Sequence, residues 1–219
     1  MFGMDSSKTQ GDEIPSGDKL SPDVVISPDT RRGARVPPGQ SRTKKWPVLD
    51  ASGAPEIDLA RWRFRISGLV GKEVEWNWEE FLQLPRTKVF ADFHCVTHWS
   101  RLGNLWEGVT TRELVCLAGG ARAKAAFVLV HGYDRGWTTN LPLDDFLSED
   151  ALVATHHDGE PITAEHGGPA RLIVPRLYAW KSAKWVAGVE LMEHDRAGFW
   201  EKNGYHMRGD PWREERFGF

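Results

Sequence analysis

The apolar residues of this 219-residue chain come in short runs, and turn-forming residues interrupt nearly every one. None approaches the roughly 18 consecutive apolar residues that a membrane-spanning helix needs. Trp62, Phe64 and Ile66 alternate with Arg61, Arg63 and Arg65, which is the period-two pattern of a half-buried strand with a basic outer face. Ser67-Gly68 and Gly71 then mark a hairpin into a second strand over 74–76. Val89, Ala91, Phe93 and Cys95 share one face of another strand. Further strands are expected over 126–130, 152–155, 172–174 and 184–192, with a hairpin-like turn at His156-His157-Asp158-Gly159. Helix signals are few. Asn77 with Glu80 caps a short helix over 78–84, stopped by Pro85. Thr110 with Glu113 opens a second, ending near Leu117 before Gly119-Gly120, and a third lies near 143–147. Many short strands with a few short helices predict a β-rich α+β single domain with mixed sheets.

Residues 1–40 are rich in Gly, Pro, Ser, Asp and Lys. Such a segment buries too little to offset its ordering entropy, so a flexible arm is expected over 1–45, with the folded domain over 46–219 beginning at Trp46-Pro47-Val48-Leu49. A net charge of −3 and a pI near 6.2 argue against nucleic acid as a partner. Two cysteines, Cys95 and Cys116, make no disulfide framework, although their count leaves one bridge open. The first residues lack the apolar core of a secretory signal, and Arg31-Arg32 is not followed by one, so the expected location is cytoplasmic. Nothing in the sequence speaks to oligomeric state.

The chemistry concentrates where the Cys95 strand ends. A thiol there faces Thr97, His98, Trp99, Ser100 and Arg101, which read as a polar, aromatic loop. Such a thiol suits a nucleophile or a soft metal ligand, and nearby positive charge lowers its pKa from about 8.5. Equally, buried cysteines are common and usually inert. His94, Cys95 and His98 suggest zinc, but Cys116, His131, His156 and His157 fall at no standard ligand spacing. A cysteine hydrolase needs a base and an orienting third group, and no such local signature accompanies Cys95. Eleven tryptophans serve either core packing or a site walled by flat, rigid rings.

The segment His94-Cys95-Val96-Thr97-His98-Trp99-Ser100, followed by Trp106-Glu107-Gly108-Val109, resembles the metal-ligand segment of the sulfite oxidase-like, molybdopterin-dependent oxidoreductases. Glu165-His-Gly-Gly-Pro-Ala-Arg-Leu-Ile-Val-Pro175 and Tyr178-Ala-Trp-Lys-Ser-Ala-Lys-Trp185 are similar to the pterin-binding segments of the same family, and the order of the three is kept. The resemblance implies the molybdopterin-binding fold of that family, molybdenum and molybdopterin as cofactors, and Cys95 as the ligand to molybdenum. It places His94, His166, Arg171, Ser182, Ala183 and Lys184 at the pterin, with Arg and Lys suited to its phosphate. Lys181, Arg101, His98 and Trp137 are the implied candidates for the substrate pocket.

The implied reaction is oxygen-atom transfer on a small sulfur- or nitrogen-containing oxide, with sulfite oxidation to sulfate as the alternative and a non-catalytic or zinc-binding domain as a second. Lys181 stands where sulfite oxidases carry an arginine, and Trp137 near the position of their tyrosine. These departures favour another small oxygen donor or acceptor over sulfite. No Cys-x-x-Cys-His occurs and nothing resembles a cytochrome b5 module, so electrons are expected to pass through a separate partner.

Overall fold

The computed structural model describes residues 21, 23–51, 53–134 and 136–218. Among them, twelve strands form two mixed sheets. In chain order the strands are β1 (Val25–Ile26), β2 (Ser41–Arg42), β3 (Arg63–Gly68), β4 (Val74–Asn77), β5 (Thr87–Cys95) and β6 (Trp99–Thr110). They continue as β7 (Phe127–Gly132), β8 (Thr138–Pro142), β9 (Leu152–His157), β10 (Glu160–Pro161), β11 (Arg171–Ile173) and β12 (Val186–Met192). One sheet runs β1-β5-β6-β9-β10, with β2 on β6 and β11 on β9; the other runs β4-β3-β12-β7-β8. The pairs β1·β5, β2·β6 and β3·β12 are parallel and the remaining pairs antiparallel, the mixed character the sequence predicts.

The sheets face each other across the main core. Trp62, Phe64 and Ile66 meet Val128, Val130, Val189 and Leu191 from one sheet and Val109, Val153 and Leu172 from the other. Among the described residues, four short α-helices pack against the strands: α1 (Trp78–Leu82), α2 (Thr111–Leu117), α3 (Leu143–Phe146) and α4 (Phe199–Lys202). Asn77 caps α1 with a full capping box, and the Thr110 hydroxyl accepts from the Glu113 amide at α2, as their spacing predicts. None of these helices is long and apolar enough to cross a membrane.

Two expectations need correction. The flexible arm over 1–45 does not hold for residues 23–45, whereas residues 1–20 and 22 lie outside the described residues. Here β1 adds to the edge of β5, β2 adds to β6, and Arg35 forms a two-pronged ion pair with the buried Asp92 at 2.6 and 2.8 Å. Backbone pairing and one buried charge pair order a segment too polar to order itself. The loop expected over 97–101 is also shorter than its composition suggests. After Cys95 the chain turns through Val96, Thr97 and His98, and β6 starts at Trp99, paired directly to Cys95.

Candidate active site

Cys95, Trp137, Arg171 and residues 182–184, from separate stretches of the chain, meet at the C-terminal end of β5. A cavity of about 240 Å³ opens there. Cys95, Val96 and Thr97 form one side, Arg171 and residues 182–185 another, and Trp46, Pro47, Leu49, Asp50 and Ala51 add to the wall. Trp137, Trp180, Trp200 and Tyr205 supply much of the remaining wall.

Cys95 is buried and free, and so is not bridged to Cys116, which is exposed on α2. It packs with Val96, Tyr178 and Trp180, and the Thr97 hydroxyl donates to its Sγ at 3.2 Å. Burial pushes the Cys95 thiol above its ordinary pKa, offset in part by Thr97, Arg216 and Arg171. Positive charge therefore does not win, contrary to the simple expectation for a reactive thiol. A cysteine whose ionisation is opposed by burial favours the thiolate once a metal cation supplies the missing charge.

Arg171 enters the cavity from the first residue of β11 and is only 3% exposed. Its two terminal nitrogens donate to the carbonyls of His166 at 2.6 Å and Ser182 at 2.9 Å, while its Nε has no partner among the described residues. Its guanidinium also faces the rings of Phe93 and Trp46 at 5.3 and 5.5 Å. Burial pushes Arg171 down to about 9, which leaves it charged at neutral pH. Lys184 donates to the Glu165 carbonyl at 2.7 Å and lies 3.6 Å from Asp50. Burial, and then the Arg171 charge, push Lys184 down to about 8. Two cations that repel across one cavity are the donor set for an anionic group such as a phosphate. Gly167 makes the close approach possible: its φ is +101°, and a Cβ there would stand 2.7 Å from that of Lys184. Together with the thiol, these residues fit a cofactor that carries both a phosphate and a metal.

Ser182 and Ala183 line the same cavity, as does Trp137. The other sequence candidates sit elsewhere. His94 alternates with Cys95 along β5 and so points to the opposite face, where its Nδ1 meets Ser100 Oγ at 2.8 Å and burial pushes its pKa down to about 4. His166 lies behind the wall, its Nε2 against the Trp46 carbonyl at 3.1 Å. It supports Trp46 and Arg171 and does not itself line the cavity. His98 adopts a left-handed backbone with φ of 68° and turns its Nδ1 to the Gly39 carbonyl at 2.7 Å. Arg101 pairs with Asp158 at 2.7 Å and contacts the His157 ring. Neither lines the cavity.

Lys181 is the largest correction. It is fully buried, 2.7 Å from Glu201, and donates to the carbonyls of Asn140 and Met207. Glu201 also accepts from the Trp180 indole at 2.9 Å and from Thr139 at 3.0 Å. Lys181 therefore anchors a wall residue and α4, and its buried side chain does not line the cavity. Conversely, the sequence reading did not single out Trp180, Trp185, Trp200, Tyr205 or Asp50, all of which line the cavity. The tryptophan count was the available signal, without positions attached.

Among the described residues, no three His, Cys, Asp or Glu side chains converge on a point that would hold zinc. Comparison with known proteins agrees with the site geometry. Residues 51–200 match the oxidoreductase molybdopterin binding domain family. The "uncharacterized oxidoreductase YuiH" of Bacillus subtilis (strain 168) is 46% identical over 187 residues, which cover 85% of this chain and 93% of that protein. The protein-methionine-sulfoxide reductase catalytic subunit MsrP of Campylobacter jejuni is 25% identical over 68% of this chain and 54% of its own length. Among solved structures, the sulfane dehydrogenase SoxCD from Paracoccus pantotrophus superposes with a TM-score of 0.59 at 25% identity, covering 65% of this chain and 41% of that one. The chain thus spans nearly all of the Bacillus protein but only about half or less of the other two.

Proposed function

The chain belongs to the oxidoreductase molybdopterin-binding domain family, is therefore a molybdenum- and molybdopterin-dependent oxidoreductase, and from that premise we propose that it transfers an oxygen atom to or from a small, neutral sulfur or nitrogen oxide. When bound, the molybdenum cofactor supplies the two-electron oxygen-atom chemistry. In this reading Cys95 is the protein's ligand to molybdenum. Arg171 and Lys184 hold the cofactor's phosphate, and Ser182 and Ala183 line its path. Trp137, Trp180, Trp200 and Tyr205 shape the substrate space and exclude water. The oxidoreductase unit runs over 46–219, with residues 23–45 as its brace.

One observation supports a neutral substrate. Among the described residues lining the cavity, the side-chain cations are Arg171 and Lys184, both committed to the cofactor in this reading, while Lys181 and Arg101 are paired away from it. Desolvating an oxyanion such as sulfite without a compensating cation is costly. A sulfoxide or N-oxide pays far less to enter a wall of indoles, and the name of the Campylobacter relative accords with a sulfoxide. Reduction of a sulfoxide consumes two electrons and two protons and yields the sulfide and water, with the electrons drawn from a separate partner. Steady-state kinetics of molybdenum-loaded protein test this, with dimethyl sulfoxide and trimethylamine N-oxide plus an artificial donor, beside sulfite plus an artificial acceptor. Faster turnover of either neutral oxide is expected; sulfite turnover near the roughly 10 s⁻¹ typical of enzymes, with no oxide reduction, overturns the reading.

A further inference from the structure

The turn that carries Cys95 is held from outside, and by parts of the chain that lie beyond the family match of residues 51–200. From the N-terminal side, Gln40 Nε2 donates to the Cys95 carbonyl at 3.0 Å. The Ser41 and Thr43 amides donate to the carbonyls of His98 at 2.8 Å and Ser100 at 2.9 Å. From the C-terminal side, Arg216 Nη1 donates to the Val96 carbonyl at 2.7 Å, and its Nη2 reaches the carbonyls of Pro38 and Gly39, each at 3.4 Å. Arg216 is 7% exposed, and its guanidinium lies over the Tyr178 ring at 5.0 Å. One side chain therefore ties the tail, the N-terminal brace and the ligand turn together.

The turn needs such support. His98, three residues after the thiol, has a φ of 68°, a strained conformation for a non-glycine residue that persists only where surroundings enforce it. A metal ligand must also be held to within about 0.5 Å of its productive position. We propose that Arg216, with Gln40, is a positioning residue for the Cys95 ligand: the two ends of the chain clasp the ligand turn and set the direction in which the thiolate meets molybdenum. Arginine suits the place because its planar fork presents separate nitrogens in fixed geometry to Val96 and to the 38–39 segment, whereas an ammonium would have to reach both from a single atom. The inference rests on Cys95 as the metal ligand and not on the identity of the substrate.

The test uses the molybdenum-loaded 219-residue chain and reads the thiolate-to-molybdenum absorption, the Mo(V) resonance after partial reduction, and metal loss on dialysis. Arg216→Ala is expected to stay folded, shift both spectra and lose molybdenum about tenfold faster, the lower end of what changes around a metal ligand cost. Arg216→Lys should fall between it and the wild type, and Gln40→Ala should shift the absorption by a smaller amount. Arg65→Ala, which breaks an exposed ion pair with Glu73, should change nothing. Spectra and retention of Arg216→Ala and Gln40→Ala identical to wild type overturn the proposal while leaving the cofactor assignment standing. If Arg216→Ala fails to fold, Gln40→Ala decides alone: a shifted absorption supports the clasp and an unshifted one refutes it. If Cys95→Ala itself leaves the absorption unchanged, the ligand assignment falls and the clasp with it.

Discussion

Replacing Lys181 by methionine keeps most of the side-chain volume and removes one charge from the interior. In the wild type that ammonium contacts Glu201 at 2.7 Å, the Asn140 carbonyl at 2.7 Å and the Met207 carbonyl at 2.6 Å, with no side-chain exposure on either partner of the ion pair. Burial pushes Lys181 below its ordinary pKa, and Glu201 pulls it back towards the charged form. Without Lys181, Glu201 keeps the Trp180 indole and the Thr139 hydroxyl as donors but loses its counter-charge, and two carbonyls lose their donor. Breaking a buried pair by removing one partner costs about 3–5 kcal/mol. For a chain of this size that is a fall of roughly 6–20 °C in melting temperature, at about 2–4 °C per kcal/mol. The double variant Lys181→Met/Glu201→Gln removes the stranded charge and should recover much of the loss. Thermal melts followed by circular dichroism measure this, beside the KM of the loaded enzyme at a temperature where each variant is folded. A Lys181→Met protein that melts like the wild type but shows a raised KM refutes the assignment of Lys181 to the scaffold and returns it to the substrate pocket.

Cys95→Ala should fold normally but lose molybdenum or its thiolate absorption, whereas Cys116→Ser should match the wild type in metal content, because Cys116 is exposed on α2 away from the cavity. Cofactor-free protein should bind phosphate most tightly below pH 8 and progressively less above it, because Lys184 titrates near 8 when no anion is present and an anion favours its charged form; Lys184→Met should weaken binding and flatten that dependence, as read by calorimetry across pH 6–9. Arg35→Ala leaves the buried Asp92 carboxylate with the Gly103 amide as its remaining donor among the described residues and should cost about 3 kcal/mol, read as a shifted urea midpoint; an unchanged midpoint would show that residues 23–45 do not brace the domain.

Period-two spacing of apolar residues placed β3 and β5, and a continuous apolar run of strand length placed β7. The caps of α1 and α2 were legible for the same local reason: Asn77 and Thr110 act on amides three residues away. The order of the three cofactor segments, and with it the family, also needed no coordinates. What the sequence could not decide is where a side chain points once the chain has folded. His94 and Cys95 are neighbours, yet strand alternation sends one towards Ser100 and the other into the cavity. Lys181 and Lys184 belong to one motif, but the 3-10 turn over Ala179–Lys181 and the departure into β12 separate them. One closes on Glu201, 20 residues later, and the other faces Arg171. The same holds for residues 23–45, whose own composition carries too little apolar surface to order them. Their partners, Phe90, Asp92, Cys95 and Ser100, lie 55 to 63 residues away for the contacts Ser27–Phe90, Arg35–Asp92, Gln40–Cys95 and Thr43–Ser100. Order there comes from a sheet edge and a buried carboxylate that exist only after the domain has closed.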